Sequence, residues 1–99
     1  MFKYSATFYK KGNMVYISHL DLMSLMRRAI RRADLPFVLS KGFTPRVKIS
    51  MPRALSLGKE SDSEEAIFYF KEEIPPEEAR SKLNKEFPEG IMINTIKKE

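Results

Sequence analysis

The sequence contains no cysteine, a single histidine and no long apolar run, and each absence excludes a class of function. Without cysteine the chain forms no disulfides, thiolate-ligated zinc sites or iron–sulfur clusters, and it has no thiol nucleophile. One histidine, His19, provides neither a histidine-rich metal site nor a Cys–His pair. No apolar stretch approaches the roughly 20 residues that span a bilayer, and the N-terminus lacks an apolar signal segment. We therefore expect a cytoplasmic protein without metal or cofactor.

The chain has the composition of a folded domain. Its 99 residues are 42% hydrophobic and 31% charged, which favours a soluble globular protein over a disordered tail. A chain of this length has room for one hydrophobic core, so we expect residues 1–99 to form a single domain.

The positive charge is concentrated in the first part of the chain. Residues 1–59 contain 12 Lys and Arg and only two acidic residues, whereas residues 60–99 contain six Lys and Arg and 11 acidic residues. Such an asymmetry indicates a face that binds a polyanion such as RNA. The alternative is a basic surface that is simply solvated.

Apolar periodicity predicts six main elements. Ser18 is a good N-cap with Asp21 three residues later, so the first helix begins there and runs to about Asp34, before Pro36. In chain order we predict a strand over 2–9, an extended piece over 14–17, a helix over 18–34, a strand over 37–51 interrupted at 40–45, a polar turn over 58–64, a strand over 66–70, a helix over 75–87 and a strand over 91–96.

The order β-α-β-β-α-β predicts an α+β, ferredoxin-like fold. Two helices would cover one face of a four-stranded antiparallel sheet and leave the other face open. In the first helix, the apolar residues lie on one side and the arginines on the opposite side. A solvent-facing side is the favoured interpretation of these arginines, and the alternative, which the lack of an intervening acid suggests, is contact with phosphate or an acidic protein surface. These arginines are Arg27, Arg28, Arg31 and Arg32.

The segment 40–48 has residues that suit an anion site. Its glycine can adopt a positive φ, its proline stiffens the turn, and cations surround both. Backbone N–H groups and cations together bind anions, and the arginine fork suits phosphate. The spacing differs from that of a P-loop, and a tight corner between strands is the alternative interpretation. The predicted anion-binding residues here are Lys41, Gly42, Pro45, Arg46 and Lys48.

His19 lies at the predicted start of the first helix, where a structural role is the favoured interpretation. The alternative is a ligand contact or a general acid/base, because histidine titrates near neutrality. A lone catalytic histidine would suit metal-independent RNA cleavage, but the glycine-rich C-terminal loop of the ferredoxin-like CRISPR RNA endonucleases is missing.

Aromatic residues recur on or near the predicted strands. We expect most of them in the core, and stacking on bases at the open sheet face is the alternative. The aromatic RNP1 pattern of RNA-recognition sheets is absent. These aromatics are Tyr4, Phe8, Tyr9, Tyr16, Phe68, Tyr69 and Phe70.

Two motif blocks carry a resemblance to a known family. The first contains YISHLDLM at 16–23 and RRAIRRADLP at 27–36, and the second is SKGFTPRVKIS at 40–50. Together they resemble the N-terminal part of the radical-SAM-linked protein family, a bacterial group of unknown biochemical function. Its members occur as separate chains or fused behind a radical SAM enzyme. The similarity covers residues 2–95 and implies that this domain is the N-terminal half of a longer family architecture.

The resemblance implies a partnership with a radical SAM enzyme or RNA-modifying machinery. A radical SAM enzyme needs three cysteines for its cluster, so a cysteine-free chain would be an accessory and not the catalyst. We expect a non-enzymatic binding domain that holds RNA, a phosphate-bearing substrate or the partner enzyme on a basic face. The alternatives are a stand-alone RNA-binding module, a metal-independent endoribonuclease that uses His19, and a structural fragment whose open sheet face pairs with a missing half.

Overall fold

The computed structural model describes residues 1–53 and 57–99. Four strands form one antiparallel sheet in the spatial order β2-β3-β1-β4, and two helices pack on it. The α+β, ferredoxin-like arrangement predicted from the sequence is therefore confirmed. The elements are β1 (Phe2–Lys10), a 3₁₀ helix (Gly12–Tyr16), α1 (His19–Arg32), β2 (Ile49–Ser50), β3 (Ser61–Phe70), α2 (Pro76–Glu86) and β4 (Ile91–Lys98).

β1 lies between β3 and β4, and its alternation decides which face of the sheet is buried. Tyr4, Ala6 and Phe8 are buried, whereas the residues between them face the other side and are half-buried. Tyr4 pairs with Phe68 on β3, which is also fully buried. The buried residues of both helices belong to the same core cluster as these strand residues. Both helices therefore cover one face, and the opposite face is open.

α1 begins and ends with recognisable caps. The Ser18 hydroxyl accepts a hydrogen bond from the Asp21 amide at 3.1 Å, as the sequence predicted. At the other end, Asp34 takes a positive φ of 56°, its N–H donates to Arg31, and the Leu35 N–H donates to the Ile30 carbonyl. These two bonds form a Schellman motif, so the helix ends at Arg32, two residues earlier than predicted.

The extended piece predicted over 14–17 is instead part of the 3₁₀ helix over Gly12–Tyr16. The Met14 N–H donates to Lys11, and the Ile17 N–H donates to Met14, which are the i to i+3 bonds of that geometry. Apolar residues in a short run have no period that separates these two conformations, so the prediction was wrong here.

Two strand boundaries also differ from prediction. β3 begins at Ser61, inside the segment predicted as a polar turn, because this polar part still pairs with the end of β1. Conversely, the strand predicted over 37–51 is regular only at Ile49–Ser50. Before Ile49 this segment makes two single bridges, from Phe37 to Phe70 and from Leu39 to Val47. The Leu39–Val47 bridge joins two parts of the predicted strand to each other, so these parts do not pair regularly with β3.

Asn84 of α2 protects part of the edge strand β4. Its side-chain amide donates to the Ile93 carbonyl at 3.1 Å, and its carbonyl accepts from the Ile93 N–H at 2.8 Å. These bonds satisfy both backbone groups of Ile93 from the helix side. An edge strand with satisfied groups offers less of a template for pairing with another chain.

Gly90 lies where a larger residue should destabilise the fold. Its φ is +101°, and a Cβ there would lie 2.5 Å from the Lys11 carbonyl oxygen and 2.8 Å from Met14 Cγ. We expect Gly90→Ala to lower the free energy of unfolding by about 2–4 kcal/mol through backbone strain and overpacking. Gly12→Ala is the control, because its φ is also positive but no atom lies within 4 Å of the new Cβ. Urea unfolding measures both, and equal losses would contradict the role of the close contact.

Candidate anion-binding site

Four arginines from two parts of the chain line one open depression of about 440 Å³. Arg27, Arg28 and Arg31 come from α1, Arg46 comes from the segment before β2, and Ser24 lies among them. Residues three and four apart on a helix are neighbours, so the spacing of the α1 arginines brings them together. The buried side of α1 faces the sheet, which leaves this side outward. We call Arg27, Arg28, Arg31 and Arg46 the arginine cluster.

Arg46 reaches the cluster because the chain folds back on itself before β2. The Ser40 N–H donates to the Arg46 carbonyl at 2.7 Å, and the Arg46 N–H donates to the Ser40 hydroxyl at 3.1 Å. The Lys48 N–H donates to the Val38 carbonyl at 2.7 Å. Val47, between Arg46 and Lys48 in the sequence, is buried. We call residues 40–46 the tip loop. Its two ends are fixed to each other by these bonds, which gives Arg46 a defined position.

Arg27 connects α1 to the tip-loop region directly. It is half-buried, and its Nε–H donates to the Val47 carbonyl at 3.1 Å. Arg31 lies with its guanidinium 4.9 Å from the centre of the Phe37 ring. The remaining N–H donors of a guanidinium stay available when Nε is engaged, because the group carries five. Two members of the cluster are therefore held by contacts that leave donors for a ligand.

No acidic side chain among the described residues forms an ion pair with the arginine cluster. Elsewhere the fold does pair its arginines, since Arg80 of α2 donates to both carboxylate oxygens of Glu77. This hydrogen bonding lowers the pKa of the Glu77 carboxyl. The contrast matters because like charges three and four residues apart destabilise a helix slightly. An anion from outside the domain would relieve that repulsion.

The other predicted anion-binding residues lie apart from the depression. Arg32 lines a different one near the end of α2, together with Glu86 and Phe87. Lys48 packs its Nζ 4.6 Å from the centre of the Tyr69 ring. Because Val47 and Ile49 face the core, alternation places Lys48 on the open face of the sheet. Three further predicted residues are exposed on the tip loop and do not line the depression: Lys41, Gly42 and Pro45. Gly42 has the expected positive φ, at 128°.

His19 also lies apart from the arginine cluster. At 1.5 Å per residue it is about 12 Å from Arg27 along the α1 axis. It is half-buried, and its Nδ1 is buried without a hydrogen-bond partner among the described residues. Its role as a structural or a reactive histidine stays a prediction. No group of three or more His, Asp or Glu in the described ranges could hold a metal ion.

The aromatic residues divide between the core and the surface. Tyr4, Phe8, Phe68 and Phe70 are buried, which confirms the core interpretation for them. On the open face, Tyr9 and Tyr69 are half-buried, while Tyr16 is exposed near the start of α1. Only part of the aromatic set is therefore accessible to a ligand.

Two residues near the site were not predicted from the sequence. Phe43 has a fully exposed side chain on the tip loop, and Ser24 lies among the arginines. The signal for Phe43 was its position between Gly42 and Pro45, where an apolar residue has no strand or helix face to join. Ser24 gave no signal, because a serine between apolar helix residues is ordinary.

Comparison with known proteins identifies the family of the chain. A family model described as "Uncharacterized protein conserved in bacteria (DUF2344)" matches residues 3–99. The chain belongs to this family. The match includes both helices, β2, β3, β4 and all of β1 except Phe2, and with them the arginine cluster. Comparisons with curated proteins and with solved structures find no match. Of the described residues, no helix is both long and apolar enough to cross a membrane.

Arg27 and Arg28 should contribute differently to the stability of the fold. Arg27→Ala removes the hydrogen bond to Val47 and leaves a part-buried carbonyl without that donor, so we expect a loss of about 1–2 kcal/mol in the free energy of unfolding. Arg28→Ala is the matched control, since Arg28 is exposed, and its effect should stay within about 0.5 kcal/mol. Urea unfolding of both variants measures the difference. A loss that is the same in both would contradict a structural role for Arg27.

Proposed function

We propose that this domain is a non-enzymatic binding module that holds RNA by its phosphates on the arginine cluster. The observation that carries the proposal is the convergence of four arginines, from α1 and from the tip loop, on one depression without an acidic partner among the described residues. Guanidinium groups bind phosphate bidentately and keep their charge at any physiological pH. Such a surface suits a ligand that brings several negative charges.

The shape of the site favours a polyanion over a small phosphate compound. Small-molecule sites are enclosed and mainly apolar, whereas this depression is open and lined by four cations and a serine. Arg27 and Arg31 are about 6 Å apart along the helix axis, so they can contact neighbouring phosphates of one strand. The excess of basic over acidic residues in 1–59 adds a long-range attraction of the same sign.

We further propose that the domain acts as an accessory to a radical SAM enzyme. The support is the resemblance of residues 16–36 and 40–50 to the radical-SAM-linked family, together with the absence of cysteine. In that role the domain would hold an RNA, and the partner would supply the chemistry. The alternative is a stand-alone RNA-binding module, and the two roles differ in whether a radical SAM enzyme co-purifies with the domain. Retention of a radical SAM enzyme on the tagged domain after nuclease treatment supports the partnership, and its absence favours the stand-alone module.

A salt titration tests the RNA-binding proposal. Fluorescence anisotropy would follow labelled single-stranded RNA bound by the wild type and by Arg28→Glu/Arg31→Glu. With four phosphates neutralised, log K should fall against log[salt] with a slope of about −3. The variant should bind at least about tenfold more weakly, with a slope flatter by about 1.4, because two phosphate contacts are lost.

The matched control is Lys82→Glu/Lys85→Glu on the exposed side of α2, which changes the net charge by the same amount. It should retain most of the affinity, because its lysines lie outside the arginine cluster. An equal loss in both double variants would show that net charge alone attracts RNA. If the wild type fails to bind RNA at low salt, the proposal is wrong, and the arginines serve a protein partner or only solubility.

A further inference from the structure

Phe43 is an exposed aromatic side chain on the same loop that supplies Arg46 to the arginine cluster. Its side chain is fully exposed, although a phenylalanine ring usually contributes to a core. From Phe43 to Arg46 the chain spans at most about 11 Å, so the ring and the guanidinium lie within reach of neighbouring nucleotides. An aromatic beside several cations is the combination found in proteins that bind single-stranded nucleic acids.

The tip loop presents this ring on a closed scaffold. Its ends are joined by the Ser40–Arg46 hydrogen bonds and by the Leu39–Val47 bridge, and the segment is attached to α1 through Arg27. The positive φ of Gly42 turns the chain directly before Phe43. A loop whose ends are joined in this way loses less backbone freedom on binding than a loose segment does.

We propose that Phe43 stacks on an unpaired base of a single-stranded RNA whose phosphates lie on the arginine cluster. The inference rests on the proposed function and adds its substrate class. A base in a duplex is already stacked on its neighbours, so the ring gains no contact there. An unpaired base offers its π-face to any aromatic side chain. The site therefore selects single strands over duplexes, with little preference for base identity.

A membrane surface is the competing ligand for an exposed phenylalanine near arginines. Stable attachment to a membrane takes an amphipathic helix or two anchoring signals, and one ring buries too little apolar area for either. α1 buries Leu22, Met26 and Ile30 in the core, and Leu20 is its one large apolar side chain that is mostly exposed, which is far less than the continuous apolar face of a membrane-binding helix. These observations favour RNA, and vesicles become an arm of the test.

The test compares an oligouridine with a blunt-ended RNA duplex of the same number of phosphates at several salt concentrations. Phe43→Leu removes the π-face but keeps an apolar side chain, and Phe43→Tyr keeps the ring. We expect Phe43→Leu to weaken oligouridine binding by about 5- to 100-fold, with duplex binding and the salt slope unchanged. Phe43→Tyr should bind like the wild type. Leu57→Ala removes another exposed apolar side chain and should also bind like the wild type.

A second measurement reports the stacking itself. The chain contains no tryptophan, so Phe43→Trp introduces a single indole fluorophore at the tip loop. Stacking on a base should quench its emission when oligouridine binds. Polyphosphate offers charge without bases, so it should bind the arginine cluster and leave the emission unquenched. Quenching that is equal with both ligands would contradict base stacking.

The outcomes separate this inference from the proposed function. If the wild type binds neither RNA, the proposed function fails and the stacking role fails with it. If the wild type binds oligouridine and Phe43→Leu binds it equally well, the stacking role is wrong while RNA binding stands. If Phe43→Leu loses binding to phosphatidylserine–phosphatidylcholine vesicles and keeps oligouridine binding, the ring serves a membrane and the inference is overturned.

Discussion

The burial of one face of β1 is the constraint on which the rest of the structure depends. Tyr4, Ala6 and Phe8 are buried between the sheet and both helices, so α1 must turn its apolar side inward. The Tyr4 hydroxyl also donates to the Ile74 carbonyl at 2.7 Å and accepts from the Ile74 N–H at 2.9 Å. A central strand thus fixes the connection into α2. The outward position of the α1 arginines is a consequence of this packing, because the two sides of an amphipathic helix cannot be chosen separately.

The arginine cluster carries an electrostatic cost that the fold reduces in two ways. Arg31 lies in the last turn of α1, where the negative end of the helix dipole attracts a cation. Arg27 places part of its charge against the Val47 carbonyl oxygen. Neither contact neutralises a charge, since both use partial charges of the backbone. The cluster is therefore tolerated in the free domain, and full neutralisation is left to an anion.

The sequence predicts the fold well where periodicity is long. Strand β1, helix α1 with its Ser18 cap, and the buried aromatics Phe68 and Phe70 all follow from local pattern. The interruption at 40–45 is present as predicted, but the regular strand expected on both sides of it is not, because the Leu39–Val47 bridge and the Ser40–Arg46 hydrogen bonds pair the two sides with each other. Local pattern contains no information about which of these two pairings is more stable.

The candidate site was predictable in part. Helical spacing brings Arg27, Arg28 and Arg31 together, and this is a local property. The approach of Arg46 to them depends on the Val47 anchor, which is a tertiary contact. Alternation about the buried Val47 and Ile49 places Lys48 on the open face of the sheet, and in a regular strand it would place Arg46 there too. Arg46 lies beside α1 instead because it belongs to the closed tip loop and not to a regular strand, and alternation does not predict that difference.

The chemistry of the arginine cluster argues for a role in holding a ligand. Guanidinium groups stay protonated at any pH the protein meets, so they neither take nor give a proton in general acid/base catalysis. His19, the single histidine of the sequence, lies about 12 Å from Arg27 along the α1 axis. If the domain binds RNA as proposed, the arginine cluster therefore positions the strand, and any proton transfer on that strand would need groups other than these guanidiniums.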